Sequence, residues 1–137
     1  MWAFYAILSA IFAALVSILA KLGLSNVNSN LAVAIRTTVV LFLAWGIVFM
    51  TGKHYGITNI SAKSWIFLTF SGLATGLSWL FYYKALQIGD ASKVIPVDKF
   101  SVVLGIALAF LILGEKLTLK TILGGALITA GTFVLIF

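Results

Sequence analysis

The sequence predicts an all-α fold: a polytopic integral membrane protein with five transmembrane helices. Of its 137 residues, 63% are hydrophobic and 9% are charged, whereas soluble domains carry about 25% charged residues. The apolar residues form continuous runs of about 20 residues, the length that a helix needs to cross a bilayer. A transmembrane β-barrel would need short segments of alternating polarity, so we exclude a barrel.

The five predicted spans follow one another with short connections. They cover residues 2–23, 30–50, 65–88, 94–113 and 118–137. The first run is longer than the core of a signal peptide and lacks a preceding basic region, so we expect it to be retained. The connections SNVNS, TGKHYGITNISAK, GDASK and GEKL carry turn and capping residues. Because they leave no room for a soluble domain, residues 1–137 are predicted to form a single transmembrane domain.

Two residues mark helix ends in the last two spans. Pro96 has no amide hydrogen, so it fits the first turn of a helix or kinks a helix that began earlier. We expect Pro96 to end the regular helix where a polar vestibule or a basic partner accommodates Asp98. Thr118 is the predicted N-cap of the fifth span.

The basic residues outside the span centres are almost evenly divided between the two sides of the membrane. The N-terminal side holds four, which are Lys53, Lys63, Lys116 and Lys120. The other side holds five, which are Lys21, Arg36, Lys84, Lys93 and Lys99. Orientation normally follows a clear excess on one side. The sequence therefore indicates that the chain inserts into the membrane in both orientations, unless another signal fixes one of them.

Charged residues inside the spans gather at one end. At 1.5 Å per residue, Arg36 lies about 9 Å into the second span and Asp98 about 6 Å into the fourth. Lys21 and Lys84 lie near the ends of the first and third spans. Since the chain crosses alternately, all of them belong to one face of the protein. Lys21 and Lys84 either extend to the headgroups or line a cavity.

Asp98 has a short side chain that cannot reach far. A charge at the centre of a helix costs about 2.5 to 3.5 kcal/mol on insertion scales, and less near an end. We therefore expect Asp98 to pair with a base, first Arg36 and second Lys99 or Lys84. Such a pair would either pin two helices together or face a polar pathway.

Small residues form a stripe along three of the spans. The fourth span carries Asp98, Ser101, Val102, Gly105 and Ala109 on one side. The first span carries Ala10, Ala14, Ser17 and Lys21, and the third carries Gly72, Gly76 and Ser78 beside Trp79, Tyr82 and Tyr83. Such stripes allow close helix packing, or line a cavity for a compact amphipathic molecule.

The sequence offers little support for an enzymatic function. His54 is the one histidine and lies on the face opposite Asp98, and there is no cysteine. No catalytic triad, metal cluster or phosphate-binding loop can be assembled, so we expect no cofactor and no metal. Glu115 follows Gly114 in a tight turn, and we expect it to order that turn and to have no catalytic role. The basic residues do not cluster into a continuous basic surface, which argues against nucleic-acid binding.

The region 82–137 resembles the second half of an EamA-type module of the drug/metabolite transporter superfamily. The segments that carry the resemblance are ALQIGDASKVIPV, LGEKLT and GGALITAG. Arg36 also falls where such modules often carry an arginine. Many relatives hold two modules in one chain, ten helices with inverted halves, whereas this sequence has one, and Lys99 after Asp98 is not a general feature. The resemblance implies transport of a small organic solute across the cell membrane.

We therefore predict a transporter subunit that moves a small organic solute or metabolite by alternating access, as an antiparallel homodimer. The predicted pathway or gate residues are Arg36, Lys84, Asp98, Lys99, Ser101, Trp79, Tyr82, Ser17 and Lys21. Three bases around one acid favour a solute with an anionic group. The alternatives are a non-transporting assembly subunit and a flippase for lipid phosphates or lipid-linked sugars.

The fifth span is predicted to contact the second subunit. It carries no charge beyond Lys120, and its small residues are Gly124, Gly125, Thr129 and Thr132. In two-module relatives the last helix of each half lies away from the pathway, and the resemblance extends this placement to the present chain.

Overall fold

The computed structural model describes residues 1–137 and contains five helical segments that are long and apolar enough to cross a membrane. The helices are α1 (Trp2–Gly23), α2 (Ser29–Met50), α3 (Ala62–Ile88), α4 (Ala91–Asp98), α5 (Ser101–Leu113) and α6 (Leu119–Ile136), with a 3₁₀ helix (Lys53–Asn59) between α2 and α3. Helices α4 and α5 together form the fourth span, Ala91–Leu113. The predicted fold class is confirmed, and each predicted span end lies within three residues of the observed one.

The fourth span is interrupted immediately after Asp98. Pro96 lies inside α4 and has no amide hydrogen for the carbonyl of Ser92, yet the helix continues for two more residues. The chain then makes a tight turn in which the amide of Phe100 donates to the carbonyl of Val97 at 3.0 Å. The expectation that Pro96 ends the helix is therefore corrected. The break lies at residues 99–100, and Asp98 is the last residue of α4.

The side chains of Asn28 and Thr118 cap the helices that follow them. The side-chain oxygen of Asn28 accepts a hydrogen bond from the amide of Asn30 at 2.9 Å and starts α2. The hydroxyl of Thr118 accepts from the amide of Thr121 at 3.2 Å, which confirms Thr118 as the N-cap of α6. Both caps satisfy amides that have no partner within their helix.

The chain divides into two compact units, of which the first is Leu19–Gln87. This unit contains the end of α1, all of α2, the 3₁₀ helix and nearly all of α3. Its buried apolar side chains are Leu24, Val33, Tyr83 and Leu86. They come from α2, α3 and the connection between α1 and α2, so the unit has a small core where these elements meet.

The second unit comprises Met1–Ile18 and Ile88–Phe137. In it, α4 and α5 both pack against α6. Gly125 of α6 is buried, and a Cβ atom added there would lie 3.9 Å from the Cδ1 atom of Ile106 on α5. Most large apolar side chains in both units are exposed. Such a surface suits surroundings of lipid or of other apolar helices.

Candidate functional site

Arg36 and two aromatic rings form the central cluster of the unit Leu19–Gln87. The guanidinium carbon of Arg36 lies 4.0 Å from the centre of the Trp79 ring and 5.7 Å from that of Tyr83. Trp79 and Tyr83 are four residues apart on α3, so they project from the same face of that helix. A cation over such rings is stabilised by about 0.5–1 kcal/mol when exposed, and by about 2 kcal/mol or more when desolvated.

The guanidinium of Arg36 retains unused hydrogen-bonding capacity. Its Nη1 atom is buried and has no hydrogen-bond partner in the structure. The unit Leu19–Gln87 contains no aspartate and no glutamate, so no acid within it can neutralise the charge. A buried donor without an acceptor is costly, and a guanidinium matches the two oxygens of a carboxylate or phosphate. The cluster can therefore bind an anion whose apolar part lies against the rings.

Lys21 holds the end of α1 against the end of α3. Its Nζ atom donates to the backbone carbonyl of Leu86 at 2.6 Å, and the side-chain amide of Gln87 donates to the carbonyl of Val27 at 2.9 Å. Carbonyls in the last turn of a helix lack partners within the helix and attract cations. Lys21 thus positions α3, the helix that carries Trp79. The side chain of Lys84 is exposed.

Asp98 pairs with its neighbour in the second unit. Its carboxylate lies 3.3 Å from the Nζ atom of Lys99, at the turn between α4 and α5. This confirms a basic partner for Asp98, but it is the second candidate, since the first candidate, Arg36, stacks on Trp79. The pair is partly exposed and contributes little to stability. Ser101, three residues further, is exposed.

Ser17 and Tyr82 have local contacts. The hydroxyl of Ser17 is buried and donates to the carbonyl of Ala13 at 2.9 Å. The ring of Tyr82 lies edge-on to that of Tyr83, with centres 6.3 Å apart. Tyr83 therefore connects Tyr82 to Arg36, which in turn contacts Trp79. The role of the nine predicted residues in a pathway or gate stays a prediction.

The small-residue stripe of the fourth span lines a cleft at its far end from Asp98. The cleft has a volume of about 330 Å³ and lies between α5 and α6 and the loop that joins them. Its lining includes Val102, Gly105, Ala109, Glu115, Lys116 and Thr121. The stripe therefore lines a cavity over part of its length, whereas Asp98 and Ser101 lie outside the lining.

Two of the four small residues predicted to contact a second subunit contact another helix of the same chain. Gly125 faces Ile106, and the hydroxyl of Thr132 donates to the carbonyl of Ile128 at 2.8 Å and lies 3.4 Å from that of Pro96. Gly124 has open space where a Cβ atom would be. Thr129 donates to the carbonyl of Gly125 in its own helix at 2.9 Å. The subunit contact of these residues stays a prediction.

Tyr83 and Gln87 belong to the site but were not among the predicted site residues. Tyr83 is four residues after Trp79, so helical spacing alone places both rings on the same face and could have found it. Gln87 bonds a carbonyl in the connection between α1 and α2. No sequence pattern identifies such a contact. The structure contains no group of three or more side chains that could hold a metal ion.

Comparison with known proteins agrees with this architecture. The whole chain, residues 1–137, matches the family model described as the EamA-like transporter family. It is 48% identical over 134 residues to a Sinorhizobium sp. protein named "Uncharacterized transporter in cobO 3'region", a match that covers 98% of this chain and 95% of that protein. No solved structure matches the chain. The chain is therefore a multi-pass membrane protein that belongs to the EamA-like transporter family, and its similarities are to transporters and not to enzymes.

Proposed function

We propose that this chain is a half-size transporter that moves a small organic anion across the cell membrane by alternating access, with two copies paired in opposite orientations. The observation that carries the proposal is Arg36. Its guanidinium lies against Trp79, its Nη1 atom is buried without an acceptor, and its unit contains no acid. An anionic solute would supply the missing acceptor.

The aromatic faces define what else the solute must carry. Trp79 lies directly under the guanidinium, and Tyr83 and Tyr82 extend the aromatic surface along α3. An apolar or planar body would lie against the partly exposed rings of Trp79 and Tyr82 while a carboxylate or phosphate meets Arg36. The solute class is therefore a compact amphipathic anion.

The five spans of the chain and the distribution of its basic residues support the proposed pairing of inverted copies. Transporters with inverted repeats place the solute between two halves that rock against each other. This chain provides one set of five spans, and its basic residues divide four against five between the two sides. A second copy inserted in the opposite orientation would supply the other half.

A flippase is the second candidate, because the same observation favours it. A guanidinium that lacks an acid partner binds the phosphate of a lipid as readily as that of a soluble solute. The two candidates differ in the apolar part of the ligand, which for a flippase is at least one acyl or isoprenoid chain.

The test is reconstitution of this chain alone into liposomes. Uptake is measured for labelled organic carboxylates and phosphates and for organic cations of similar size, and inward movement is measured for fluorescent lipid phosphates. We expect saturable uptake of at least one anion class and none of the cations. Protein-free liposomes and the Arg36→Gln variant are the controls. Absence of transport for every solute, with correctly folded protein, would leave the assembly subunit as the better account.

A further inference from the structure

The chain reverses direction immediately after α2. Gly52 has a φ of 65°, in the left-handed region that glycine adopts without strain. The amide of Thr51 donates to the carbonyl of Ile47 at 3.0 Å, and that of Gly52 donates to the carbonyl of Phe49 at 3.1 Å. These bonds close the end of α2 as helix C-caps usually do. The 3₁₀ helix that follows therefore folds back against α2.

A cavity of about 380 Å³ lies between the 3₁₀ helix and the last turns of α2. Its lining includes Trp45, Val48, Lys53, Gly56, Ile57 and Ile60. Apart from backbone groups and the indole nitrogen of Trp45, the polar group that these residues contribute is the ammonium of Lys53. An apolar cavity with a cationic rim fits a ligand that is apolar along its length and anionic at one end.

The cavity lies at the end of a membrane span. Helix α2 is a membrane span that ends at Met50, so the connection after it emerges at the membrane surface. Three exposed aromatic residues lie in the sequence close to this span end, and they are Trp45, Tyr55 and Trp65. Tryptophan and tyrosine concentrate at the interface between bilayer and water. The apolar walls therefore extend towards the hydrocarbon, and Lys53 lies at the polar end.

The local charge is positive without exception. Residues 1–89 contain no aspartate and no glutamate, whereas the connection between α2 and α3 carries Lys53, and Lys63 lies at the start of α3. A basic residue near a membrane surface attracts anionic lipid by about 1 kcal/mol. A zwitterionic headgroup offers no net charge for this attraction.

We propose that the cavity between α2 and the 3₁₀ helix binds one anionic phospholipid, with an acyl chain against Trp45 and Ile57 and the phosphate at Lys53. This site is separate from Arg36, which lies 14 residues before Met50, about 20 Å away along α2. The inference does not rest on the proposed transport function.

The test uses the full chain in nanodiscs whose two leaflets both contain equal amounts of phosphatidylglycerol and phosphatidylcholine. This composition makes the result independent of orientation. Native mass spectrometry then counts the two lipids that remain on the released protein. We expect retained phosphatidylglycerol to exceed phosphatidylcholine, and Lys53→Gln to lower that ratio about fivefold. Lys53→Arg should keep the preference, because it keeps the charge.

Lys63→Gln is the matched control. It removes the same charge from the neighbouring start of α3, but Lys63 does not line the cavity. It should leave the ratio within about twofold of the unchanged protein. Trp45→Ala should lower retention of both lipids, since it removes part of the apolar wall.

Three results would overturn the proposal. The unchanged protein could retain both lipids equally, or Lys53→Gln and Lys63→Gln could lower the ratio by the same amount, which would indicate a diffuse charge effect. Lys53→Arg could lose the preference as fully as Lys53→Gln. The measurement is decisive even for a protein that transports nothing.

Discussion

The guanidinium carbon of Arg36 on α2 lies 4.0 Å from the centre of the Trp79 ring on α3. The contact stabilises a cation inside an apolar span without neutralising it. A salt bridge would have occupied the same hydrogen-bond donors. An aromatic partner instead leaves them available to a ligand, and this difference underlies the proposed anion site.

Arg36→Gln should lower transport of the anionic solute by about 10- to 100-fold, because hydrogen bonds to a charged group contribute about 1.5–3 kcal/mol. Arg36→Lys keeps the charge but loses the planar fork, so it should retain only part of the activity. Initial rates in proteoliposomes measure both, at matched protein levels. Unchanged rates in Arg36→Gln would leave Arg36 with a purely structural role.

Lys21→Met should lower the free energy of unfolding by about 1–2 kcal/mol, because it removes the donor to the Leu86 carbonyl but keeps the apolar stem. Lys84→Met is the matched control, since Lys84 is exposed and its replacement should stay within about 0.5 kcal/mol. Unfolding in detergent, followed by tryptophan fluorescence, compares the two. Equal effects would show that the bond to Leu86 is not a stabilising contact.

Asp98→Asn should change stability by less than about 1 kcal/mol, because its ion pair with Lys99 is partly exposed. If Asp98 belongs to the transport pathway, the same variant should lower the transport rate clearly. The contrast between a small thermal shift and a large kinetic effect is the expected result. A normal rate with normal stability would remove Asp98 from the pathway.

Gly124→Leu and Gly125→Leu should have different effects. Gly124 has open space at its Cβ position, so a leucine there should weaken pairing with a second subunit while the single chain stays intact. A Cβ atom at the buried Gly125 would already lie 3.9 Å from Ile106, so the larger leucine should overpack the chain and cost about 1–3 kcal/mol. Cross-linking yields and thermal unfolding separate the two effects. Normal dimer yield in Gly124→Leu would place the subunit contact elsewhere.

The sequence was sufficient for the five spans because each is a long apolar run with turn residues at its ends. It also located Thr118 as an N-cap, because threonine immediately before an apolar helical run is a favoured capping residue. The break after Asp98 was misplaced, because the turn at residues 99–100 depends on how α4 and α5 pack against α6 as well as on Pro96.

The candidate site was predicted in part, for a physical reason. Depth along a helix identified Arg36 as a buried charge, but depth does not reveal its partner, and an acid was expected where the structure has an aromatic face. The bond from Lys21 to Leu86 uses a backbone carbonyl, a group that every residue carries and that no sequence pattern distinguishes.

The most direct test of the central claim, that two inverted copies of one chain form the transporter, is the orientation of single cysteines. The chain has no cysteine of its own, so Tyr55→Cys and Phe137→Cys each provide one labelling site. Tyr55 follows the second span and Phe137 follows the fifth, so any one molecule has them on opposite sides. Intact cells are treated with a membrane-impermeant thiol reagent, and the remaining sites are labelled after permeabilisation. We predict that each position labels partly from outside and partly only after permeabilisation. Complete labelling of one position from outside, with the other fully protected, would contradict the claim.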